Sequence, residues 1–285
     1  MRLTVLGVRG SSAASGADFV RFGGHTSCVA VTADGAEFPT VMLDAGTGLT
    51  QAPAMLDGRP YDGSILLSHL HWDHVNGIPF FRSGDRDDAR VDVFMPAQLG
   101  RSGEELLAQM MSPPAFPIYP DGLRGAWTFS AMEAGIFSAE GFTVRAVDIT
   151  HKGGRTFGYV LADVSATIGY LPDHAPALGW TDELVGALTG VDVLIHDGQF
   201  LDTERAIAND FGHATVSDAI SMAERVKARE LILFHHGPNR RDNDLDELAR
   251  VVGGAVPVRI AHEGMVIDTA PPSVVPPTRQ GAGKN

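Results

Sequence analysis

Three histidines and an aspartate occupy six positions directly after the apolar residues 64–68. They are His69, His71, Asp73 and His74. Side chains two apart in an extended chain point to the same side, so His69 and His71 can share one cation. Asp73 and His74 fall where the chain is expected to turn into a helix, so they can face a second cation. Two metals about 3.5 to 4 Å apart convert water to hydroxide and stabilise both the attacking and the leaving oxygen of a displacement reaction. The motif therefore predicts a dinuclear hydrolytic site.

The elements that must position this motif are short strands separated by glycines. The chain has 33 glycines in 285 residues, well above the usual share of about 7%. Helical periodicity is clearest at 104–111, 182–188 and 215–226. Because strands and helices alternate, the sequence predicts a layered α/β domain. Strands are predicted at 3–6, 28–32, 40–43, 64–68, 91–95, 142–148, 157–162, 166–170, 191–196, 230–234 and 256–260.

The composition limits the possible partners and metal ligands. The single cysteine, Cys28, excludes an intrachain disulfide and a thiolate zinc site. A net charge of −13 argues against a long nucleic-acid footprint. No apolar run approaches the roughly 18 to 20 residues of a membrane span, and the first residues do not resemble a signal peptide. We therefore expect no membrane contact and a cytoplasmic location.

Two segments differ from the rest of the chain. Residues 96–130 contain four prolines between 113 and 120, which predict irregular structure. This segment is expected to be a lid, a dimer contact or a plain loop. The proline-rich residues 268–285 are expected to be a disordered tail. The remaining residues, 1–267, are expected to form one hydrolase domain.

The His-x-His-x-Asp-His pattern resembles the motif of the metallo-β-lactamase-fold hydrolases. The resemblance implies a four-layer αββα sandwich, in which two mixed β-sheets are flanked by helices. It also implies that His151, at a predicted strand end, completes the first metal site. Asp173 resembles the carboxylate that bridges the two metals in this family, and the last ligand histidine follows the apolar residues 231–234.

Two adjacent histidines follow that last apolar segment. His235 shares a face with the apolar residues of the predicted strand, which favours it as the ligand. His236 is a ligand if the chain turns there, and a phosphate contact otherwise. His174, next to the bridging aspartate, is expected either to line the substrate pocket or to fill space.

Three further features indicate which branch of the family the chain resembles. Asp73 argues for two metals. His213, which opens a predicted helix, resembles the histidine that protonates the leaving oxygen in tRNase Z and its phosphodiesterase relatives, and Asp197 resembles the carboxylate that orients it. The segment around Asp44 also resembles small phosphodiesterases, and Asp44 is expected to support a ligand histidine. Asp73, Asp197 and His213 are therefore the predicted catalytic residues.

The predicted activity is hydrolysis of a small phosphodiester, such as a cyclic nucleotide or a cyclic sugar phosphate. Nitrogen and oxygen ligands suit two zinc ions, or else manganese or iron. In the family a metal-bridging hydroxide attacks the phosphorus. The alternatives are a lactone, ester or β-lactam hydrolase on the same metals, a tRNA 3′-processing nuclease, and a non-catalytic metal-binding protein. A homodimer is expected because relatives often form one.

Overall fold

The computed structural model describes residues 1–269, which contain fourteen strands and seven α-helices. The helices are α1 (Ala52–Met55), α2 (Trp72–Val75), α3 (Gly103–Ala108), α4 (Asp182–Leu188), α5 (Arg205–Phe211), α6 (Val216–Val226) and α7 (Asp242–Val251). The strands are β1 (Arg2–Gly7), β2 (Cys28–Thr32), β3 (Val41–Leu43), β4 (Asp62–Leu66), β5 (Arg90–Pro96), β6 (Ala126–Met132), β7 (Gly135–Ala139), β8 (Phe142–Ile149), β9 (Thr156–Ala162), β10 (Thr167–Leu171), β11 (Val193–Asp197), β12 (Leu231–Phe234), β13 (Val258–Ile260) and β14 (Val266–Asp268).

The strands form two seven-stranded sheets with the same pairing pattern. The first has the order β14-β1-β2-β3-β4-β5-β6 and the second β13-β12-β11-β10-β9-β8-β7. In each sheet one half is antiparallel and the other half is parallel, the parallel strands being β3 to β6 and β10 to β13. Both sheets are therefore mixed, and the carboxyl ends of parallel strands gather at one edge of each sheet.

Three apolar clusters define four layers. The central cluster takes side chains from both sheets, including Val31, Leu43, Tyr159 and Phe234. A second cluster covers the outer face of the first sheet with α3, and a third covers the outer face of the second sheet with α4, α6 and α7. This confirms the predicted αββα sandwich.

Helix α6 shows how sequence sets one of these layers. The Thr215 side chain and the Asp218 carboxylate form a reciprocal cap at its start, and Lys227 ends it in a left-handed conformation. The buried stripe begins at Val216 and ends at Val226. The helix packs on β11 and β12, which end at the predicted site.

The segment 96–130 is more regular than predicted. Its first and last residues belong to β5 and β6, and α3 lies between them with Leu106 and Leu107 buried. Part of the segment is therefore core. Of the predicted tail, Asp268 ends β14 and Thr269 donates its amide to the Met1 carbonyl at 3.1 Å. The rest of the predicted tail lies outside the described residues.

Within residues 1–269, none of the helices combines the length and the apolar character needed to cross a membrane.

Candidate metal centre

The predicted ligands meet at the edge where strands of both sheets end. His69 lies three residues after β4, His151 two after β8, Asp173 two after β10, and His235 directly after β12. His71 is the N-cap of α2, and the short helix turns the chain so that its first residues face back toward the strand ends. The two sheets thus contribute ligands from opposite sides of one cleft.

The first cluster consists of His69, His71, His151 and Asp173. The His151 Nε2 atom lies 3.2 Å from His71 Nδ1 and 3.4 Å from the Asp173 Oδ2 atom. The His69 Nε2 atom lies 3.7 Å from the same carboxylate oxygen. All four donor atoms lie within 4.8 Å of one another, which is the spacing of a site with three histidines and one carboxylate.

The second cluster consists of Asp73, His74 and His235, and it shares Asp173. The His74 and His235 Nε2 atoms are 3.3 Å apart, and each is close to the Asp73 Oδ2 atom, at 3.3 and 3.2 Å. The other oxygen of Asp173, Oδ1, lies 3.1 Å from His74 Nε2 and 3.0 Å from His235 Nε2. Asp173 therefore presents one oxygen to each cluster, the arrangement of a bridging ligand.

The donor set fits two divalent cations. The His69 Nε2 atom is buried and has no hydrogen-bond partner, which is costly unless another group compensates it. Two pairs of imidazole nitrogens also face each other, from His71 to His151 and from His74 to His235. Nitrogen and carboxylate oxygen suit zinc, manganese or iron. The fold and the donor set thus support divalent metal binding.

The far sides of the ligand rings are held by different oxygens in the two clusters. The His74 Nδ1 atom donates to the Asp44 carboxylate at 2.7 Å, and Asp44 also accepts from the Ser68 and Tyr170 hydroxyls. His69 contacts the Ser68 hydroxyl at 3.0 Å. His151 donates to the Gly212 carbonyl at 2.7 Å. Asp44 thus lies behind His74, so a carboxylate contacts the far side of a ring in the second cluster, whereas neutral oxygens do so in the first.

The two clusters also differ in the pKa of their histidines. Burial is the largest influence lowering the pKa of His69, His71 and His151 in the first cluster. Burial also lowers the pKa of His235, but the Asp173 and Asp73 carboxylates outweigh it and raise that pKa to about 10. Without metal at pH 7, the first cluster holds neutral imidazoles and the second holds protonated ones.

The structure separates the two adjacent histidines after β12. His235 adopts a left-handed conformation with φ of 60°, which turns the chain and directs its ring into the second cluster. His236 is buried outside the cavity lining, and its Nε2 atom donates to the Ala261 carbonyl at 2.9 Å. His236 is therefore in no position to contact a substrate, which corrects that prediction. Gly10 lies so close to the His235 ring that a Cβ atom would stand 2.3 Å from its Nδ1 atom.

Left-handed backbone is concentrated at the second cluster. Among residues 1–269, seven non-glycine residues have positive φ, and three of them touch this cluster. Besides His235, Asp44 has φ of 57° and Ser11 has φ of 63°. The Ser11 amide donates to the Asp73 Oδ2 atom at 2.6 Å. Such conformations cost about 1 to 3 kcal/mol each and persist where the surroundings fix them.

His213 lies beside both clusters. Its Nδ1 atom is 2.9 Å from the Asp197 Oδ2 atom and 3.9 Å from the Asp173 Oδ2 atom. Asp197 also accepts from the Ala214 amide at 3.1 Å. Burial raises the pKa of Asp197, but the neighbouring His213 outweighs it and lowers that pKa, so the carboxylate is ionised. An ionised carboxylate that accepts the Nδ1 proton leaves Nε2 of His213 free for proton transfer.

His174 lies behind the site rather than in it. It is buried, and its Nδ1 atom lies 3.1 Å from the Nε2 atom of His196, which in turn donates from Nδ1 to the Asp197 carbonyl at 2.8 Å. Burial lowers the pKa of His174 to about 3, so the ring is neutral. His174 does not line the cavity, which corrects its predicted substrate contact, and instead it packs against the end of β11, which carries His196 and Asp197.

A cavity of about 890 Å³ opens over the two clusters. Ligands from both clusters and His213 form its floor. Two groups at the site were not identified from the sequence, the Ser11 amide and the Tyr170 hydroxyl. A backbone donor has no side-chain signature, and Tyr170 falls in a strand where a core tyrosine is the ordinary expectation. The other lining residues include Leu70, Trp72, Lys152, Gln199, Phe200, Glu204, Ile207, Phe211, Asn239 and Arg240.

Known proteins resemble this chain in sequence and in fold. Residues 40–236 match the family model of the β-lactamase superfamily domain. Ribonuclease Z of Bradyrhizobium diazoefficiens is 26% identical over 269 residues, which cover 74% of this chain and 85% of that protein. Ribonuclease Z of Nocardia farcinica is 26% identical over 255 residues, which cover 72% and 80%.

Solved structures share the fold over nearly the whole chain. The metallo-β-lactamase-fold protein YhfI of Bacillus subtilis superposes with a TM-score of 0.71 at 19% identity, covering 94% of this chain and 99% of that one. The short form of human tRNase Z gives a TM-score of 0.64 at 21% identity, with coverages of 94% and 99%. The chain therefore belongs to the β-lactamase superfamily, as a hydrolase of the metallo-β-lactamase fold.

Proposed function

We propose that this protein is a metal-dependent phosphodiesterase that hydrolyses a small phosphodiester, such as a cyclic nucleotide or a cyclic sugar phosphate. The observation that carries the proposal is the His213–Asp197 pair, in which His213 lines the cavity beside both ligand clusters and the buried Asp197 lies behind it. Hydrolysis of a phosphodiester releases an alkoxide, which needs a proton. Metal binding by itself does not require a histidine that a carboxylate orients, so the pair points to a proton donor. Relatives named Ribonuclease Z support action on phosphodiesters.

His69, His71, His151 and Asp173 would hold one cation, and Asp73, His74, His235 and Asp173 the other. Two bound cations would supply a water-derived nucleophile and neutralise charge on the phosphate. Zinc is the proposed metal, with manganese as the alternative. Asp73 has a second role, because its carboxylate accepts a hydrogen bond from the Ser11 amide and so fixes the loop that carries Ser11.

His213 would donate a proton from Nε2 to the leaving oxygen. Asp197 accepts a hydrogen bond from Nδ1 of His213. This bond fixes the orientation of the ring and stabilises the charged imidazolium before it gives up the Nε2 proton. The Ala214 amide and the Gln199 amide also donate to Asp197, at 3.1 and 3.0 Å, so the carboxylate has little freedom to move.

The test compares leaving groups. With zinc or manganese, the wild type is expected to hydrolyse bis(p-nitrophenyl) phosphate and nucleoside cyclic phosphates. His213→Ala should lower kcat for the cyclic phosphates by about 10²- to 10⁴-fold, the usual contribution of a positioned acid. It should affect nitrophenolate release far less, because that leaving group needs no proton. Absence of turnover of every phosphodiester tried would contradict the proposal.

Lactone or ester hydrolysis on the same metals is the first alternative. This reaction gives the His213–Asp197 pair no role. The alternative would be favoured if the His213→Ala variant cleaved lactones as well as the wild type does. Cleavage of precursor tRNA is the second alternative, and the names of the curated relatives favour it. A net charge of −13 disfavours a polyanionic substrate. Cleavage of a precursor tRNA at low salt in preference to small phosphodiesters would establish it.

Two predictions from the sequence accompany this proposal, a cytoplasmic location and a homodimer. Light scattering on the purified protein tests the second.

A further inference from the structure

One side of the cavity is an apolar wall, formed by Phe200, Ile207 and Phe211. Ile207 and Phe211 are four residues apart on α5, so both project from the same face of the helix. The side chains are 45% and 51% exposed and line the cavity. Large apolar side chains exposed in a concave site mark a surface that an apolar ligand covers.

This apolar wall is fixed to the metal centre on the side of the proposed proton donor. Gly212 directly follows α5, and its φ of 78° ends the helix. Its carbonyl oxygen accepts a hydrogen bond from Nδ1 of His151 at 2.7 Å. His213 follows immediately. The Phe200 ring lies 5.8 Å from the His213 ring, centroid to centroid. A group next to the leaving oxygen would therefore contact the wall.

Three polar side chains around the wall, those of Arg240, Gln199 and Lys152, already donate to partners within the protein. The Arg240 guanidinium contacts the Glu204 carboxylate at 2.5 Å. The Gln199 side-chain amide donates to the Ser11 hydroxyl at 3.2 Å. Lys152 donates to the Asp210 carbonyl at 2.7 Å, and its ammonium lies 5.7 Å from the Phe211 ring centroid. A sugar polyol binds through several free donors and acceptors, and in these three side chains the Gln199 Oε1 atom is the one buried polar atom that lacks a partner.

We propose that the apolar wall is a subsite for an aromatic base, so that the substrate class is a nucleoside phosphodiester rather than a cyclic phosphate of a bare sugar. A planar base presents a π-face that stacks on Phe211 or Phe200 and packs on Ile207, whatever its hydrogen-bonding edge. This inference rests on the proposed function, because it assumes that the phosphate lies over the two clusters.

The first test measures binding without turnover. On the metal-loaded enzyme, calorimetry compares adenosine 5′-monophosphate with glycerol 3-phosphate, which has the same phosphate and no base. We expect the wild type to bind the nucleotide about tenfold more tightly, a value within the usual range for base stacking. Phe211→Ala should remove most of that preference, while Phe211→Tyr, which keeps the ring, should retain it.

The matched control is Ile136→Ala, which removes an exposed apolar side chain on β7. It should leave the ratio of the two affinities unchanged, whereas Ile207→Ala should lower it about threefold. The proposal is overturned if the wild type shows no preference for the nucleotide, or if the preference persists in Phe211→Ala and Ile207→Ala together.

A kinetic arm separates this inference from the proposed function. The KM of the wild type is compared for adenosine 2′,3′-cyclic phosphate and glycerol 1,2-cyclic phosphate. Phe211→Ala should raise KM about tenfold for the nucleotide alone. Equal effects on both substrates overturn the base subsite and leave the phosphodiesterase intact. If no phosphodiester is hydrolysed but the binding preference holds, the proposed function fails and the base subsite stands.

Discussion

The two ligand clusters use the same kinds of side chain in opposite electrostatic surroundings. The first has three histidines to one shared carboxylate, and neutral oxygens of Ser68 and the Gly212 carbonyl lie behind its rings. The second has two histidines, Asp73 and the shared Asp173, with the Asp44 carboxylate behind His74. Burial lowers the histidine pKa values in both clusters, so the additional carboxylate facing the second cluster accounts for the raised pKa of His235 there.

The largest expected effect comes from removing the residue that both clusters share. Asp173→Asn should reduce metal content from two equivalents to less than one and lower turnover by about 10³-fold or more, because it weakens charge stabilisation on both sides. Elemental analysis and hydrolysis of bis(p-nitrophenyl) phosphate measure these changes. Asp148→Asn, at an exposed carboxylate paired with Arg155, is the control. Two metals retained in Asp173→Asn would contradict a bridging role.

Proton release should distinguish the two clusters directly. Because the pKa of His235 is raised to about 10, metal must displace its proton at neutral pH. Affinity at the second cluster should therefore rise about tenfold per pH unit for each displaced proton. Histidines of the first cluster have lowered pKa values, so affinity there should change little above pH 7. Calorimetric titration with chelator-buffered zinc from pH 6.5 to 8.5 measures both; equal proton release at the two sites would refute the distinction.

The groups behind the rings offer a finer comparison. Asp44→Asn should weaken metal binding at the second cluster by about 10- to 100-fold, the usual effect of removing a carboxylate that orients a ligand histidine. Ser68→Ala should have a smaller effect on both clusters, because the Ser68 hydroxyl contacts His69 and reaches the second cluster only through its hydrogen bond to Asp44. Competition with a chelator gives both affinities. A larger effect of Ser68→Ala would reverse the assignment of the two supports.

The smallest effect concerns stability in acid. Burial lowers the pKa of His236 to about 3, while the unfolded value is 6.5. Between these values the unfolded chain takes up a proton that the folded chain does not, so stability is lost as pH falls below 6.5. At pH 5.5 the loss is about 1.4 kcal/mol. His236→Gln removes this titration and should flatten the decline in urea midpoint between pH 6.5 and 5.5; an unchanged slope would exclude His236.

The sequence predicted which side chains converge better than it predicted their surroundings. The seven side chains converge because each follows the end of a strand. Four of them were predicted from their own motif, and His151, Asp173 and His235 were predicted from the resemblance to the family. The side chain of Thr181 caps α4 by accepting from the Leu184 amide. Helix α5 was missed because Ile207 and Phe211 face the cavity, so no apolar stripe faces the core. Strand β6 was missed inside the proline-rich segment because its partner, β5, is distant in sequence.

The left-handed residues at the second cluster differ in how freely they could change. Asp44 and His235 act through their side chains. Glycine at either position would relieve the backbone strain but would remove a side chain that belongs to or supports the second cluster. Ser11 donates its main-chain N–H to Asp73, and its hydroxyl accepts from the Gln199 side-chain amide. Glycine would be easier to accommodate at this position, because it adopts positive φ without steric cost. Within one strained centre, position 11 is therefore open to evolutionary drift, whereas positions 44 and 235 are not.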